Sequence, residues 1–154
     1  MREHFKTLSA VFPLIMREQD GIIQILLHKR LNTGYQDGKW DCAGSGHVDE
    51  GETMKMAVVR EMFEELGIKV NIEDIEFAHL AHNLGTGNKN TYYNGYFVIR
   101  KYTGDIMIKE PNKCSELQWF DIRNLPEDII FNRKLAIENF LSKNAYSENI
   151  KENK

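Results

Sequence analysis

The chain has 154 residues, 20 Lys+Arg against 23 Asp+Glu, a formal charge of −3 and 42% hydrophobic residues. That length fits one domain with a sizeable core, and so apolar a chain with so little net charge is not disordered. No apolar run approaches the ~18 residues that cross a membrane, and the mild acidity supports neither a nucleic-acid-polymer surface nor a bulk field for phosphate-rich ligands.

Taken in chain order, Met1 to Leu14 is polar and mixed, unlike a signal peptide. Thr7–Met16 and Ile22–His28 are apolar runs around the turn-like cluster Arg17–Gly21, which predicts two strands joined by a short loop. Leu31–Gly38 is a loop, and Trp40–Ala43 and His47–Val48 are short strands around Gly44 and Gly46. Thr53–Leu66 has helical periodicity and stops at Gly67. Ile72–Ala81, Thr91–Lys101 and Leu117–Ile122 read as strands, with a loop at Leu84–Asn90, and Arg133–Lys143 as a second helix. Residues 1–146 are expected to form one domain, and Ser147–Lys154 a frayed polar tail. Strands, a central helix, more strands and a late helix indicate a mixed α/β domain. Cys42 and Cys114 form no metal motif and are expected to be reduced thiols in a cytoplasmic protein.

On a helical wheel of Thr53–Leu66, Met56, Val59, Met62, Phe63 and Leu66 share one arc, while Glu61, Glu64 and Glu65 share the other. Like charges at i,i+4 oppose a helix by a few tenths of a kcal/mol per pair, and Arg60 relieves only part of this. A cation among the carboxylates would account for the arrangement, and hard oxygen donors favour Mg²⁺ or Mn²⁺ over zinc or copper. A solvated acidic helix face is the competing explanation for these glutamates alone.

The flanking residues decide between them. Gly46, Glu52 and Arg60-Glu61-Met62-Phe63-Glu64-Glu65-Leu66-Gly67-Ile68 match every position of G-x5-E-x7-R-E-U-x-E-E-x-G-U, where U is apolar. A chance match in a chain this long is on the order of 10⁻⁸. The chain therefore resembles the Nudix hydrolases. Asn32-Thr33-Gly34-Tyr35, Glu110-Pro111-Asn112-Lys113-Cys114, Trp119-Phe120 and Leu125-Pro126 look like a MutT-like subgroup.

The resemblance implies the Nudix fold, an α/β/α sandwich with a mixed β-sheet. It implies metal-assisted attack of water on a diphosphate linkage, with Mg²⁺, or Mn²⁺ in its place, as cofactor. Glu61, Glu64 and Glu65 match the metal-binding glutamates, and Glu61 or Glu65 the general base. Glu52 would support the site or reach a metal through water, Arg60 would orient the glutamates, and the Ser45 carbonyl matches a backbone ligand. MutT-like members hydrolyse nucleoside triphosphates, 8-oxo-dGTP among them. Nucleotide sugars, ADP-ribose and a non-catalytic nucleotide-binding module are the alternatives. ADP-ribose hydrolases tend to carry a proline where Asn83 and Leu84 stand here. All four box glutamates are present, which favours catalysis.

Outside the box, Arg30 is a candidate for gripping phosphate; the resemblance further implies that Phe131 and Asn132 stand where MutT-like members contact the base and that Glu110 stands where some members add a carboxylate. His47, His79 and His82 are expected to be structural. The expected partner is a small nucleotide, and the resemblance leaves room for a homodimer.

Overall fold

The computed structural model describes residues 2–151. Strand β1, Leu8–Gln19, is buried from Ala10 to Met16, so its side chains serve two opposite faces. It pairs parallel with β6, Tyr92–Ile99, over Leu8↔Tyr92 to Ile15↔Ile99. Its far end pairs antiparallel with β2, Ile22–Arg30. With β3 (Trp40–Cys42), β5 (Glu76–Gly85) and β8 (Tyr146–Lys151), the strand order is β3-β2-β1-β6-β5-β8. The short β4, Gly46–His47, pairs with β1, and β7, Cys114–Asp121, with β2.

Helix α1, Met54–Leu66, covers one face, where Ala57, Val58, Met62 and Leu66 pack on Val11, Ile15, Leu26, Phe97 and Ile99. Helix α2, Phe131–Leu141, covers the other, where Ala136 and Ile137 join Phe12, Leu14, Met16, Tyr96 and Val98. This is the α/β/α sandwich with a mixed sheet. A strand that must feed two cores reads as a continuous apolar run, as Ala10–Met16 does.

Two expectations change. Met56 and Phe63 are 44% and 50% exposed, while Glu61 is only 8% exposed. The buried stripe of α1 is thus turned toward the glutamates, because the helix seats its Ala57–Val58 edge in the sheet and draws Glu61 in beside it. The wheel alone chose the bulkiest apolar arc. Second, Tyr146–Lys151 is an edge strand, not a frayed tail, parallel to β5 over Leu80↔Tyr146 to Gly85↔Lys151. Backbone pairing needs no apolar side chains. Polar anchors fix it: His79 Nδ1 donates to the Asn144 carbonyl at 2.8 Å, His79 Nε2 meets the Ser147 hydroxyl at 2.8 Å, and Asn149 Nδ2 donates to Asn83 Oδ1 at 3.0 Å. Residues 152–154 of the expected tail lie outside the described residues.

Candidate active site

Local signals set α1 in place. Thr53 Oγ1 accepts from Met56 N at 3.2 Å at the N-terminus, and Gly67 closes the helix at φ 72°, returning its N–H to Phe63 at 3.1 Å. The loop before it passes very close to the helix. A Cβ on Gly46 would overlap the Glu61 carboxyl, so glycine there lets β4 and the carboxylate share space.

Arg60 organises the acidic side. Its Nε donates to Glu52 Oε2 at 2.8 Å, Nη2 to Glu52 Oε1 at 2.9 Å, and Nη1 to Glu61 Oε1 at 2.7 Å and Glu64 Oε2 at 3.2 Å. Nη2 also donates to the His47 carbonyl at 3.0 Å, which ties β4 to the helix. The bonds from Arg60, together with the Asp49 N–H at 2.9 Å, hold the Glu52 carboxyl down at about 2. With both its oxygens engaged, Glu52 is placed to fix Arg60 rather than to face the cavity.

Glu61 and Glu65 behave differently. Burial raises the Glu61 carboxyl, although Arg60 opposes it. Burial, then the charges of Glu61 and Glu110, push Glu65 up to about 8. The two carboxyls lie side by side, one helical turn apart, and each shifts the other. Such a pair shares a proton that a divalent cation would replace. Among the described residues no three acidic, His or Cys side chains already converge as a metal cage. Glu64 is half exposed and turned to Arg60. The donors that do meet, Glu61 and Glu65 with Glu110 nearby, are hard oxygens and suit a divalent cation.

These carboxylates line one part of a cavity of about 760 Å³, within the range of small-ligand sites. Ser45, Gly46 and Glu110 line it too, as do His47, Tyr92 and Asn132. Three sequence expectations sort differently. Arg30 reaches the cavity, and three of its five N–H donors go to Asp41 at 3.0 Å, Thr33 Oγ1 at 3.0 Å and the Tyr35 carbonyl at 2.7 Å, which brace it in the wall. Asn132 lines the cavity, whereas Phe131, 66% exposed at the start of α2, does not. Adjacent helical residues point about 100° apart, which puts one inward and the other out.

Sequence reasoning missed Asp41 and Arg133. Asp41 is fully buried in β3, and Arg133 Nε donates to its Oδ1 at 2.8 Å. Burial opposes ionisation of Asp41, yet Arg133, His28 and Arg30 outweigh it and hold the carboxyl below its ordinary range. Arg133 also lies 3.6 Å over the Phe12 ring and donates to the Tyr96 hydroxyl at 3.3 Å. The one sequence signal was an acid inside the apolar segment Trp40–Ala43; its partner lies 92 residues away.

A NUDIX domain profile matches residues 6–140. The oxidized purine nucleoside triphosphate hydrolase of Danio rerio is 32% identical over 124 residues, spanning 77% of this chain and 70% of that protein. A putative 8-oxo-dGTP diphosphatase of Bacillus subtilis is 28% identical over 133 residues, spanning 86% and 78%. Among solved structures, a MutT NUDIX hydrolase from Burkholderia pseudomallei aligns with a TM-score of 0.73 at 25% identity, covering 87% of this chain and 98% of that one. With the complete box on α1 and the sandwich around it, the chain belongs to the Nudix hydrolases, MutT-like pyrophosphohydrolases that act on small nucleotides with a divalent metal.

Proposed function

We propose that this protein is a Mg²⁺-dependent nucleoside triphosphate pyrophosphohydrolase of the cytoplasm, with oxidised purine nucleotides such as 8-oxo-dGTP as its substrate class. The observation that carries the reading is the Glu61–Glu65 carboxyl pair opening into a cavity that also holds aromatic and amide side chains. The sequence similarity to a purine triphosphate hydrolase and to a putative 8-oxo-dGTP diphosphatase supports the substrate class.

In this reading Glu61 and Glu65 would hold the cation, Glu110 and Ser45 on the same cavity wall could complete its shell, and Glu64 could join it on leaving Arg60. When bound, the cation neutralises phosphate charge and lowers the pKa of water. Glu65 faces the cavity beside Glu61 and, ionised once the cation is bound, is placed to accept the proton of the attacking water. Arg60 holds Glu61 and Glu64 in position, and Glu52 holds Arg60. Asn132 lies on the wall available to the base. The net charge of −3 then poses no obstacle, since the acidity sits where cations reverse its sign.

The test is a screen of purified protein against canonical and oxidised nucleoside triphosphates, nucleotide sugars, ADP-ribose and dinucleoside polyphosphates, with Mg²⁺ or Mn²⁺. Metal-dependent release of pyrophosphate and a nucleoside monophosphate is expected, fastest with an oxidised purine triphosphate. A preference for ADP-ribose or a nucleotide sugar would reassign the substrate, and binding without turnover of any compound would make the chain a non-catalytic module.

A further inference from the structure

One row of side chains crosses the cavity floor. The register pairs His47 with Ala10 across β4 and β1, Ala10 with Asn94 across β1 and β6, and Asn94 with Ala81 across β6 and β5. Cross-strand partners share a face, so His47, Ala10, Asn94 and Ala81 stand side by side. Asn94 is 5% exposed, it lines the cavity, and its Oδ1 has no hydrogen-bond partner. The row explains why: both lateral neighbours are alanines, whose methyl groups can neither donate nor accept. A buried carboxamide oxygen left this way lowers the stability of the free protein, so a native chain that keeps one invites a functional explanation.

The surroundings point to the ligand. Along β6 the residues on the same face are Tyr92 and Tyr96, one on each side of Asn94. Tyr92 meets His47, with hydroxyl and Nε2 3.1 Å apart and ring centroids at 5.7 Å. Tyr96 stacks on Phe12 at 5.1 Å. Ala10, the shortest side chain in the row that also lines the cavity, leaves space above the floor between these two aromatic pairs. The oxygen itself is shut off from solvent, but a half-turn of the carboxamide about its terminal torsion brings it to the cavity, and an aromatic-walled slot with such an acceptor at its base suits a flat heterocycle that brings an N–H donor on its edge.

We infer that Asn94 is a specificity-determining residue: its carboxamide accepts a hydrogen bond from a ring or exocyclic N–H of the nucleobase and so selects among bases. This rests on the nucleotide-hydrolase reading of the same cavity. The residue takes no part in the phosphate chemistry, since the box glutamates carry that.

The test measures binding rather than turnover, so that it stands apart from the hydrolase assay. The monophosphates of adenosine, guanosine, 8-oxoguanosine, cytidine and uridine are titrated calorimetrically, with Mg²⁺, into the wild-type protein, Asn94→Leu and Asn94→Ala. Wild-type affinities are expected to spread about tenfold or more across the bases, because a site built around a hydrogen bond rejects bases that cannot complete it. Asn94→Leu, similar in volume, should compress that spread to about threefold or less, leave pyrophosphate binding unchanged, and melt no earlier than wild type, since an unpaired polar atom is removed. Asn94→Ala serves if the leucine variant does not fold. An unchanged base ranking in the folded variant overturns the assignment of Asn94 even if the wild type hydrolyses nucleotides. An Asn94-dependent ranking in a protein that hydrolyses none of them upholds the base site and removes the hydrolase reading. Failure of the wild type to bind any nucleotide overturns both.

Discussion

Arg133 Nε donates to Asp41 Oδ1 at 2.8 Å where both side chains are shut away from solvent, at 7% and 0% exposure. The pair joins the first turn of α2 to β3, and through Phe12 and Tyr96 it braces the cavity wall. Removing one member strands a buried charge. Asp41→Ala is therefore expected to destabilise the fold by about 3–5 kcal/mol, and Arg133→Met by a similar amount less the compensation Arg30 gives Asp41. In a denaturant-unfolding double-mutant cycle, Asp41→Ala with Arg133→Met should lose at least about 1 kcal/mol less than the two singles together. Additive losses would mean that the two charges are not coupled.

His28 stands opposite Asp41 across β2 and β3, 8% exposed, with Nε2 unpartnered. Burial lowers its pKa from the ordinary 6.5, and the charge of Asp41 opposes this only in part. A depressed folded pKa means that the imidazole contributes fully above the unfolded value and that this contribution is lost as pH falls below it. Unfolding midpoints should thus drop as pH falls from about 7 toward about 5, and His28→Gln should flatten that slope. A His28→Gln protein with the wild-type slope would contradict the burial effect.

Gly46→Ala places a methyl group on the Glu61 carboxyl. The carboxyl must move, while the backbone of β4 keeps ordinary dihedrals, so the fold should survive and the chemistry should not. A fall in kcat of about tenfold or more with a melting temperature within a few degrees of wild type is expected. Full activity would show that the position of Glu61 is not critical.

Arg60 should act through the glutamates and not through substrate, since it lies outside the cavity lining. A lysine ammonium cannot reproduce the fork that spans Glu52, Glu61 and Glu64. Arg60→Lys should lower kcat by about tenfold or more with little change in KM for the nucleotide, and it should raise the Mg²⁺ concentration needed for half activity. A rise in KM at constant kcat would place the arginine on the substrate instead.

Glu61→Gln and Glu65→Gln should each lower kcat by at least about a hundredfold. Glu65→Gln should not destabilise the metal-free protein, because it removes a half-buried carboxyl whose ionisation the site resists. Undiminished turnover in both variants would refute the site assignment.

Most strands and both helices were readable in the residues, because β1, β2 and β6 are apolar runs and α1 carries its own cap and stop in Thr53 and Gly67. Several boundaries were not: β1 runs on through Gln19 into the expected turn, β7 starts at Cys114 rather than Leu117, and both ends of β5 differ. Ile72–Asp74 turns as a single 3₁₀ turn before β5, and β5 continues to Gly85. The sequence assigned one strand to Ile72–Ala81 and began the loop at Leu84. In both places the pairing partner, not local propensity, sets the end of the element. Strand β8 was hidden for the same reason, since its polar residues are ordered by β5 and His79.

The box residues were determined by the chain itself. Gly46, Glu52, Arg60, Glu61, Glu64 and Glu65 lie within one loop and helix, so spacing alone brings them together. Their division of labour was decided in three dimensions. The helix rolls its Ala57–Val58 edge into the sheet, which buries Glu61, turns the half-buried Glu65 to the cavity and leaves Glu64 exposed. Asp41 with Arg133, and Asn94 between Ala10 and Ala81, exist only once strands distant in sequence are in register. Local periodicity carries no information about which side chain will stand beside another on a neighbouring strand, and burial, the quantity that gives these groups their chemistry, is a property of that neighbourhood.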